Sequence, residues 1–403
     1  MKDFFATEKL RTIYPKVKEF LETEIYPNEH TWLSMPFEEV AVILRKLKTK
    51  AQTTGAWNLY HTEEHGGPGL NLVEIAQLCE LLGSTYFGHF TFNCQAPDAG
   101  NMELLLLYAT EEMKEKYMHP LLEGDLRSCF SMTEPDNAGS NPVKMSTTAV
   151  RVGDEYVING RKWFTSSADG AAFAIVMAIT NPNAENPYQR ASMIIVPTDA
   201  EGFKLERNLQ IFGHAGSSWD SHAEISYTNV RVPVSNLMAG EGDGFKLAQQ
   251  RLGPGRIHHC MRWIGQCERA FDLMCTRAAT RGVGEGFLGE KQMIQDFIAT
   301  SRAEIDAARW MVLHTAHSIQ TRGAKDAAQE ISTIKFYVAN VLHQVIDRAI
   351  QVHGGMGVTE DSLLSVFFRE ARTARIYDGP DEAHKASLAR NILKGYGLKI
   401  SNN

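Results

Sequence analysis

Residues 147–167 read TTAVRVGDEYVINGRKWFTSS, and this stretch decides the fold. It is made of short runs rich in Val, Ile, Thr and aromatic residues, separated by turn residues, and the Asn159-Gly160 pair predicts a β-hairpin. The same texture continues on both sides, in SCFSMTEPDNAGSN (128–141), AFAIVMAIT (172–180), ASMIIVPTD (191–199), FKLERN (203–208) and HAEISYTNVRVPVSN (222–236). A β domain of roughly a hundred residues is expected here.

Outward from it the period changes. Upstream, LRTIYPKVKEFLETEIYP, EEVAVILRKLKTKAQTTG, LVEIAQLCELLGS and ELLLLYATEEMKEKYMHPLLEG place apolar residues three and four apart, as amphipathic helices do. Downstream, helical period resumes at Gly244-Phe245, and IHHCMRWIGQCERAFDLMCTRAA puts Ile257, Met261, Ile264, Phe271 and Met274 on one face. Two long helical runs follow, 293–321 and 327–355, the second ending at a Gly354-Gly355 cap. A last run breaks at Asp378-Gly379-Pro380 before a closing helix. Long helices with short connections imply an antiparallel bundle, so the order is α, β, α.

Composition narrows the function. The 403 residues are 43% hydrophobic and 22% charged, enough to bury a core and a large cofactor, and the net charge of −7 argues against a general nucleic-acid or membrane-surface binder. Six cysteines form no CxxC pair, so reduced, buried thiols are expected. His258-His259-Cys260 invites a metal reading, but neighbouring helical residues point in different directions and zinc needs three or four convergent ligands. No metal is expected. The first residues carry neither the apolar stretch of a secretory signal nor an Arg/Ser-rich transit pattern, and no segment is long and apolar enough to span a bilayer; a cytoplasmic protein is expected.

The common glycine and nucleophile fingerprints are absent. There is no P-loop, no GxSxG, no HExxH and no GxGxxG at a strand-to-helix turn, and the cluster Gly282-Val283-Gly284-Glu285-Gly286 links two helices. Four other constellations stand out: Met132-Thr133-Glu134-Pro135-Asp136-Asn137-Ala138-Gly139-Ser140, Trp163-Phe164-Thr165-Ser166, Gln351 to Gly357 (QVHGGMG), and Tyr377-Asp378-Gly379-Pro380. Singly they read as a polar loop, a core aromatic, a helix cap and a turn.

Together, and in this order, they resemble the acyl-CoA dehydrogenase family over nearly the whole chain. That family's TEPxxGS loop is similar to TEPDNAGS here, with one residue more; its W-I-T segment corresponds to Trp163-Phe164-Thr165 and its QxxGGxG to Gln351–Gly357. NVRVPVSNLMAGEGDGFKLAQQ resembles its link into the C-terminal helices. The resemblance implies an α+β fold with an N-terminal helical domain (1–126), a middle β-barrel-like domain (127–240) and a C-terminal four-helix bundle (241–403). It also implies a homotetramer or homodimer, with FAD held between the β domain and the bundle and partly across a subunit interface. Met132, Thr133 and Ser140 would line the flavin and its phosphates, Trp163 would pack on the isoalloxazine, and Thr165 would bond near its reactive nitrogen. Arg281 and Gln292 would reach a neighbouring subunit's FAD, and Gln351, Gly354 and Gly355 would let the backbone approach that dinucleotide.

The implied reaction is α,β-dehydrogenation of an acyl-CoA thioester: a carboxylate removes the α-proton and the β-hydrogen leaves as hydride to the flavin. Electrons would pass on to an electron-transfer flavoprotein. The family's base usually stands in a Y-E-G-T segment. Here the segment is Tyr377-Asp378-Gly379-Pro380, which makes Asp378 the expected base and resembles a subgroup with aspartate at that position. An apolar, closed site is expected to raise its pKa. In some relatives the base sits on the first long C-terminal helix; the matching residue is Gly255, which cannot serve. Arg256 beside it is expected either near the thioester end of the substrate or in a surface ion pair, and Glu382 is the fallback base. Gly253-Pro254-Gly255 widens the acyl cavity or adjusts the helix entry. Two other readings keep the chain in view: an oxygen-dependent FAD oxidase of another carbon acid, as in nitroalkane oxidase, whose base is aspartate, and an inactive binding or assembly protein.

Overall fold

The computed structural model describes residues 6–141 and 143–399, and for residues 252–254 only the backbone. The N-terminal part is built on α1 (Glu8–Phe20), α2 (Phe37–Thr53), α3 (Leu72–Gly83) and α4 (Asp98–Tyr108). Helix α1 buries Leu10, Ile13, Val17 and Phe20, the positions its period marks, and starts where the Thr7 hydroxyl accepts the Leu10 N–H. At α3 the cap is reciprocal: Asn71 accepts from the N–H groups of Val73 and Glu74, and the Glu74 carboxylate accepts from Asn71 N–H. The run from Glu103 to Gly124 is not one helix. Ala109 turns extended (ψ 147°), and the Thr110 side chain caps a new set of helical turns by accepting the Met113 N–H.

The middle part is a mixed sheet of β1 (Ser128–Ser131), β2 (Thr148–Val152), β3 (Glu155–Ser166), β4 (Phe173–Ile179), β5 (Ala191–Pro197), β6 (Phe203–Asn208), β7 (His222–Pro233) and β8 (Leu237–Met238). The strand order is β6-β7-β3-β2-β4-β5-β8, with β1 parallel to β4. The two-residue period of β4 separates two cores: Phe173, Ile175 and Met177 face α4, while Ala174, Val176 and Ala178 share a core with Tyr156, Ile158, Ile225 and Tyr227 of β3 and β7. Strands distant in the order therefore meet on one face, and the sheet curls as a barrel does. The hairpin expected at Asn159-Gly160 is placed elsewhere. Val152 pairs with Glu155, so Gly153-Asp154 makes the turn, while Asn159-Gly160 lies inside β3 at a shift of register against β7, its Asn159 side chain accepting the Asn229 N–H at 2.8 Å.

The C-terminal part has three long helices, α5 (Gly244–Thr280), α6 (Gln292–Arg322) and α7 (Ala328–His353), followed by α8 (Leu363–Ala374) and α9 (Asp381–Gly395). Gly255 lies inside α5 and does not open it; a widening of the cavity by the side chains at 253 and 254 lies outside the described residues. Gly282–Phe287, between α5 and α6, forms a small antiparallel hairpin. No helix among the described residues is long and apolar enough to cross a membrane.

The N- and C-terminal helices join where α3 crosses α5. A Cβ on Gly265 would lie 2.1 Å from the carbonyl oxygen of Glu80, and one on Gly83 would lie 2.4 Å from that of Arg262. Nothing but hydrogen fits at either point. Beside the crossing, Arg309 of α6 reaches Glu80 through Nε at 2.9 Å. Gly265→Ala is expected to force α3 and α5 apart and to destabilise the protein by about 1–3 kcal/mol, read as a lower thermal midpoint; an unchanged midpoint would show that the crossing yields without cost.

Candidate active site

The turn between α8 and α9 carries Asp378, whose φ of +54° is in the left-handed region that few non-glycine residues occupy. Three groups hold that turn. His384 of α9, kept neutral by a burial that brings its pKa down to about 4, donates Nε2–H to the Asp378 carbonyl at 3.1 Å. Lys335 of α7, fully buried, donates to the carbonyls of Ala374 at 2.8 Å and Gly379 at 3.3 Å. A Cβ on Gly379 (φ +94°) would meet His384 Nε2 at 2.8 Å, so the residue after the aspartate must be glycine.

The Asp378 carboxylate faces α5, where His259 Nε2 stands 2.9 Å from Oδ2. Burial alone would push the carboxyl up, as the sequence suggested. His259, Arg251 and Lys335 more than offset it, and Asp378 is held well below the usual carboxylate range. Burial also pushes the His259 imidazole below its ordinary value against the pull of Asp378, so the pair is a neutral imidazole donating to an ionised carboxylate. Arg256, half-buried on the same helix, feels the same carboxylate, and among the described residues its Nε has no hydrogen-bond partner. Among the described residues it is engaged in no surface ion pair.

Behind the turn lies a polar network. Tyr377 hydroxyl donates to Glu370, Arg262 Nη2 bridges Glu370 (2.7 Å) and Tyr377 (3.1 Å), and Trp263 Nε1 donates to Tyr377 at 3.0 Å. His258 points away from all of this and stacks on Tyr60, with ring centroids 3.8 Å apart and planes 13° from parallel. Adjacent residues on α5 thus serve different places, as helical geometry requires. Glu382 is exposed in the first turn of α9, while Asp381 beside it is buried and bound by Arg375 (2.8 Å) and Asn340 (3.0 Å).

The loop after β1 and the end of β3 form a second group. Thr133 carbonyl accepts the Trp163 N–H at 3.0 Å, and the buried Thr165 hydroxyl lies 3.3 Å from that of Ser131. The indole N–H of Trp163 is buried without a partner among the described residues, and a register shift between Lys162 and Thr165 leaves Phe164 exposed at φ +49°. Glu134 fixes the loop. Its carboxylate accepts from Ser146 N–H (2.6 Å), Thr147 N–H (2.8 Å) and Lys162 Nζ (3.0 Å), and that same ammonium donates to the Met132 carbonyl at 2.8 Å. Ser140 stands exposed at the far end of the loop.

The remaining expected residues lie on an open surface at one end of the bundle. Arg281 ends α5, Gln292 begins α6, Gln351 is in the last turn of α7, and all three are exposed. A Cβ on Gly354 or Gly355 would meet nothing within 4 Å. Within one chain these residues do not join the Asp378 turn.

Family models of the acyl-CoA dehydrogenase N-terminal, middle and C-terminal domains match residues 7–125, 129–230 and 242–393. The chain belongs to the acyl-CoA dehydrogenase family. Acyl-CoA dehydrogenase family member 11 of Gallus gallus is 41% identical over 99% of this chain and 52% of its own length; the chain spans about half the length of that relative. The acyl-CoA dehydrogenase homologue FadE2 of Mycobacterium tuberculosis is 46% identical over 87% of this chain and 86% of its own. A solved acyl-CoA dehydrogenase homologue from Mycobacterium abscessus superimposes with a TM-score of 0.92 at 40% identity, covering 97% of this chain and all of that one.

For a member of the acyl-CoA dehydrogenase family, the sequence pointed to Asp378 and passed over what surrounds it. His259 was visible only as part of a doubtful metal corner, and Lys335, Arg262 and Glu370 gave no local signal. Glu134 and Lys162 could have been found as a carboxylate in a fixed loop and a lysine alternating into a strand's buried face. Burial pushes Glu134 up, but Lys162 and the two N–H groups outweigh it and bring it from near 4.5 to about 2. A depressed carboxylate contributes stability above its ordinary value and loses it as pH falls through the depressed one. Glu134→Gln, which leaves Lys162 buried without its counter-charge, is expected to cost about 3–5 kcal/mol at neutral pH. In thermal melts the gap from wild type should narrow as pH falls from 4.5 towards about 2; a gap independent of pH would assign the loss to packing.

Proposed function

We propose that this protein oxidises the Cα–Cβ bond of an acyl-CoA thioester with FAD as hydride acceptor. The observation that carries the reading is Asp378: an ionised, half-buried carboxylate on a left-handed turn, beside an arginine whose Nε is unpartnered among the described residues.

The second group of residues fits a flavin. An indole N–H buried without a partner, a buried threonine hydroxyl and a loop fixed from below by Glu134 offer a rigid edge with polar atoms to spare. Met132, Thr133, Trp163 and Thr165 hold the ring system in this reading, and Ser140 meets the phosphates. Arg281, Gln292, Gln351, Gly354 and Gly355 hold the dinucleotide of a second copy. Exposed apolar side chains flank those positions (Val283, Phe287, Met293, Met356 and Val358), as a subunit interface requires, and Met293 is 74% exposed. Bound FAD supplies the acceptor for the β-hydride, and an electron-transfer flavoprotein then takes the electrons.

The chain's own residues move the proton. Arg256 orients the thioester end. Asp378 Oδ2 is engaged by His259, which leaves Oδ1 to take the α-proton. An acyl chain seated against the carboxylate replaces water by apolar atoms, which raises its proton affinity and works against the cations that hold it ionised. An oxygen-dependent oxidase of another carbon acid uses the same aspartate and is the alternative.

Anaerobic addition of a panel of acyl-CoAs to the purified holoenzyme tests the reading. One of them is expected to bleach the flavin absorbance. A flavin that stays oxidised with every thioester, yet is reduced by a nitroalkane and reoxidised rapidly in air, would favour the oxidase. Asp378→Asn is expected to retain flavin and to be reduced about 10²–10⁴-fold more slowly; reduction at the wild-type rate would move the base elsewhere.

A further inference from the structure

Removing a proton does not explain why the carboxylate is bound to an imidazole. His384 and Lys335 hold the main chain of the Asp378 turn, but among the described residues the carboxylate itself has one hydrogen-bond donor, His259 Nε2 at 2.9 Å. The imidazole is in turn packed against two aromatic rings that also pack on each other. Its ring lies 5.9 Å from that of Trp263 at an interplanar angle of 23°, and 5.3 Å from that of Tyr377 at 59°. Those two side chains are joined by the Trp263–Tyr377 hydrogen bond and anchored through Glu370 and Arg262. The His259 side chain keeps only 14% of its exposure. Burial and these ring contacts restrain the imidazole, and through it the carboxylate oxygen bound to it.

We infer that His259 is the positioning residue of the base: by holding Asp378 Oδ2, it presents Oδ1 alone to the substrate α-carbon. The inference rests on the reading of Asp378 as the base. An aspartate reaches one methylene less far than the glutamate usual in this family, so its productive orientations are few, and a carboxylate free to rotate spends most of its time out of reach. In the step itself the α-C–H bond breaks, its proton forms the O–H of Asp378 at Oδ1, and its electron pair enters the forming double bond as the β-hydride departs. Oδ2 accepts from His259 before and after, so the imidazole stays neutral and carries no proton away. Asp378 is faced by Arg251, Arg256 and His259 from α5, Lys335 from α7, Glu370 through the network of α8, and His384 from α9. All but His259 remain in a His259 variant, so a changed titration reports the loss of that one donor. Removing a donor that lowers the carboxyl's proton affinity must move the acidic limb of the rate profile to higher pH.

The experiment follows flavin reduction in stopped flow, in wild-type holoenzyme, Asp378→Asn, His259→Leu and His259→Gln. It uses the acyl-CoA that bleaches the wild type and covers about pH 5 to 9. His259→Leu is expected to lower the limiting rate by about 10²-fold, to leave the half-saturating substrate concentration within a few-fold, and to raise the pH of the acidic limb. His259→Gln, whose amide N–H reaches as far as Nε2, should recover most of the rate with the limb near its wild-type place. A His259→Leu enzyme with wild-type limiting rate and an unmoved limb overturns the proposal. If that variant yields no folded holoenzyme, His259→Gln decides: a rate near wild type supports the donor's role, and a loss as deep as that of Asp378→Asn overturns it. The two readings fail separately. Asp378→Asn reduced at the wild-type rate removes the base assignment, whereas a slow Asp378→Asn beside an unaffected His259→Leu removes this inference alone.

Discussion

An ionised carboxylate leaves water only where other groups replace the water's dipoles and charge. Around Asp378 that requirement draws on most of the C-terminal architecture. Helix α5 supplies Arg251, Arg256 and His259, α7 supplies Lys335, α9 supplies His384, and α8 sets the Glu370 that steadies Tyr377. Each must arrive at a fixed height and angle, so the helices are not free to slide. The glycine contacts between α3 and α5 extend the constraint to the N-terminal part, since they fix how deep α5 sits.

The middle part solves the same problem on a smaller scale. Lys162 has no room to reach water from the buried face of β3, and its ammonium is satisfied by Glu134 and the Met132 carbonyl. Two backbone N–H groups then complete the carboxylate's shell. The result is a loop tied to a strand by charge and by main chain together, and the loop's outer edge, with Trp163 and Thr165 beside it, inherits that rigidity. The polar atoms left over at this edge are few and specific, the indole N–H foremost.

The order of helical and strand regions was legible because period and composition change sharply at the domain edges. The apolar spacing of α1 and the Gly354 cap were legible, though the run read from 10 to 27 leaves α-helical geometry after Phe20. The hairpin could not: Asn159-Gly160 has the stronger local preference, but Gly153-Asp154 lets β2 and β3 pair with their buried residues on one face, and burial outweighs turn chemistry. The break at Ala109 was hidden for a related reason, since the apolar spacing runs on through it while a single threonine cap ends one helix and begins another. Of the site, the residues in motifs were legible and their partners were not. Asp378 announces itself beside a tyrosine and a glycine, whereas His259 and Lys335 meet it only through tertiary packing of distant segments. Its lowered proton affinity was the reverse of what an apolar enclosure suggests, because the enclosure is lined with cations that no local pattern displays.

Helix α5 runs unbroken from Gly244 to Thr280, and its length has a consequence for how this chain can change. From His259 to Arg281 is about 33 Å at ~1.5 Å per residue, and every residue advances the helix by roughly 100°. Inserting or deleting one residue in that interval would turn Arg281 roughly a quarter of the way round the axis relative to His259. The interval therefore behaves as a ruler and a compass at once, and tolerates substitution far better than indels. A change of length in the Gly282–Phe287 hairpin, which lies beyond that interval, would alter neither the distance nor the bearing.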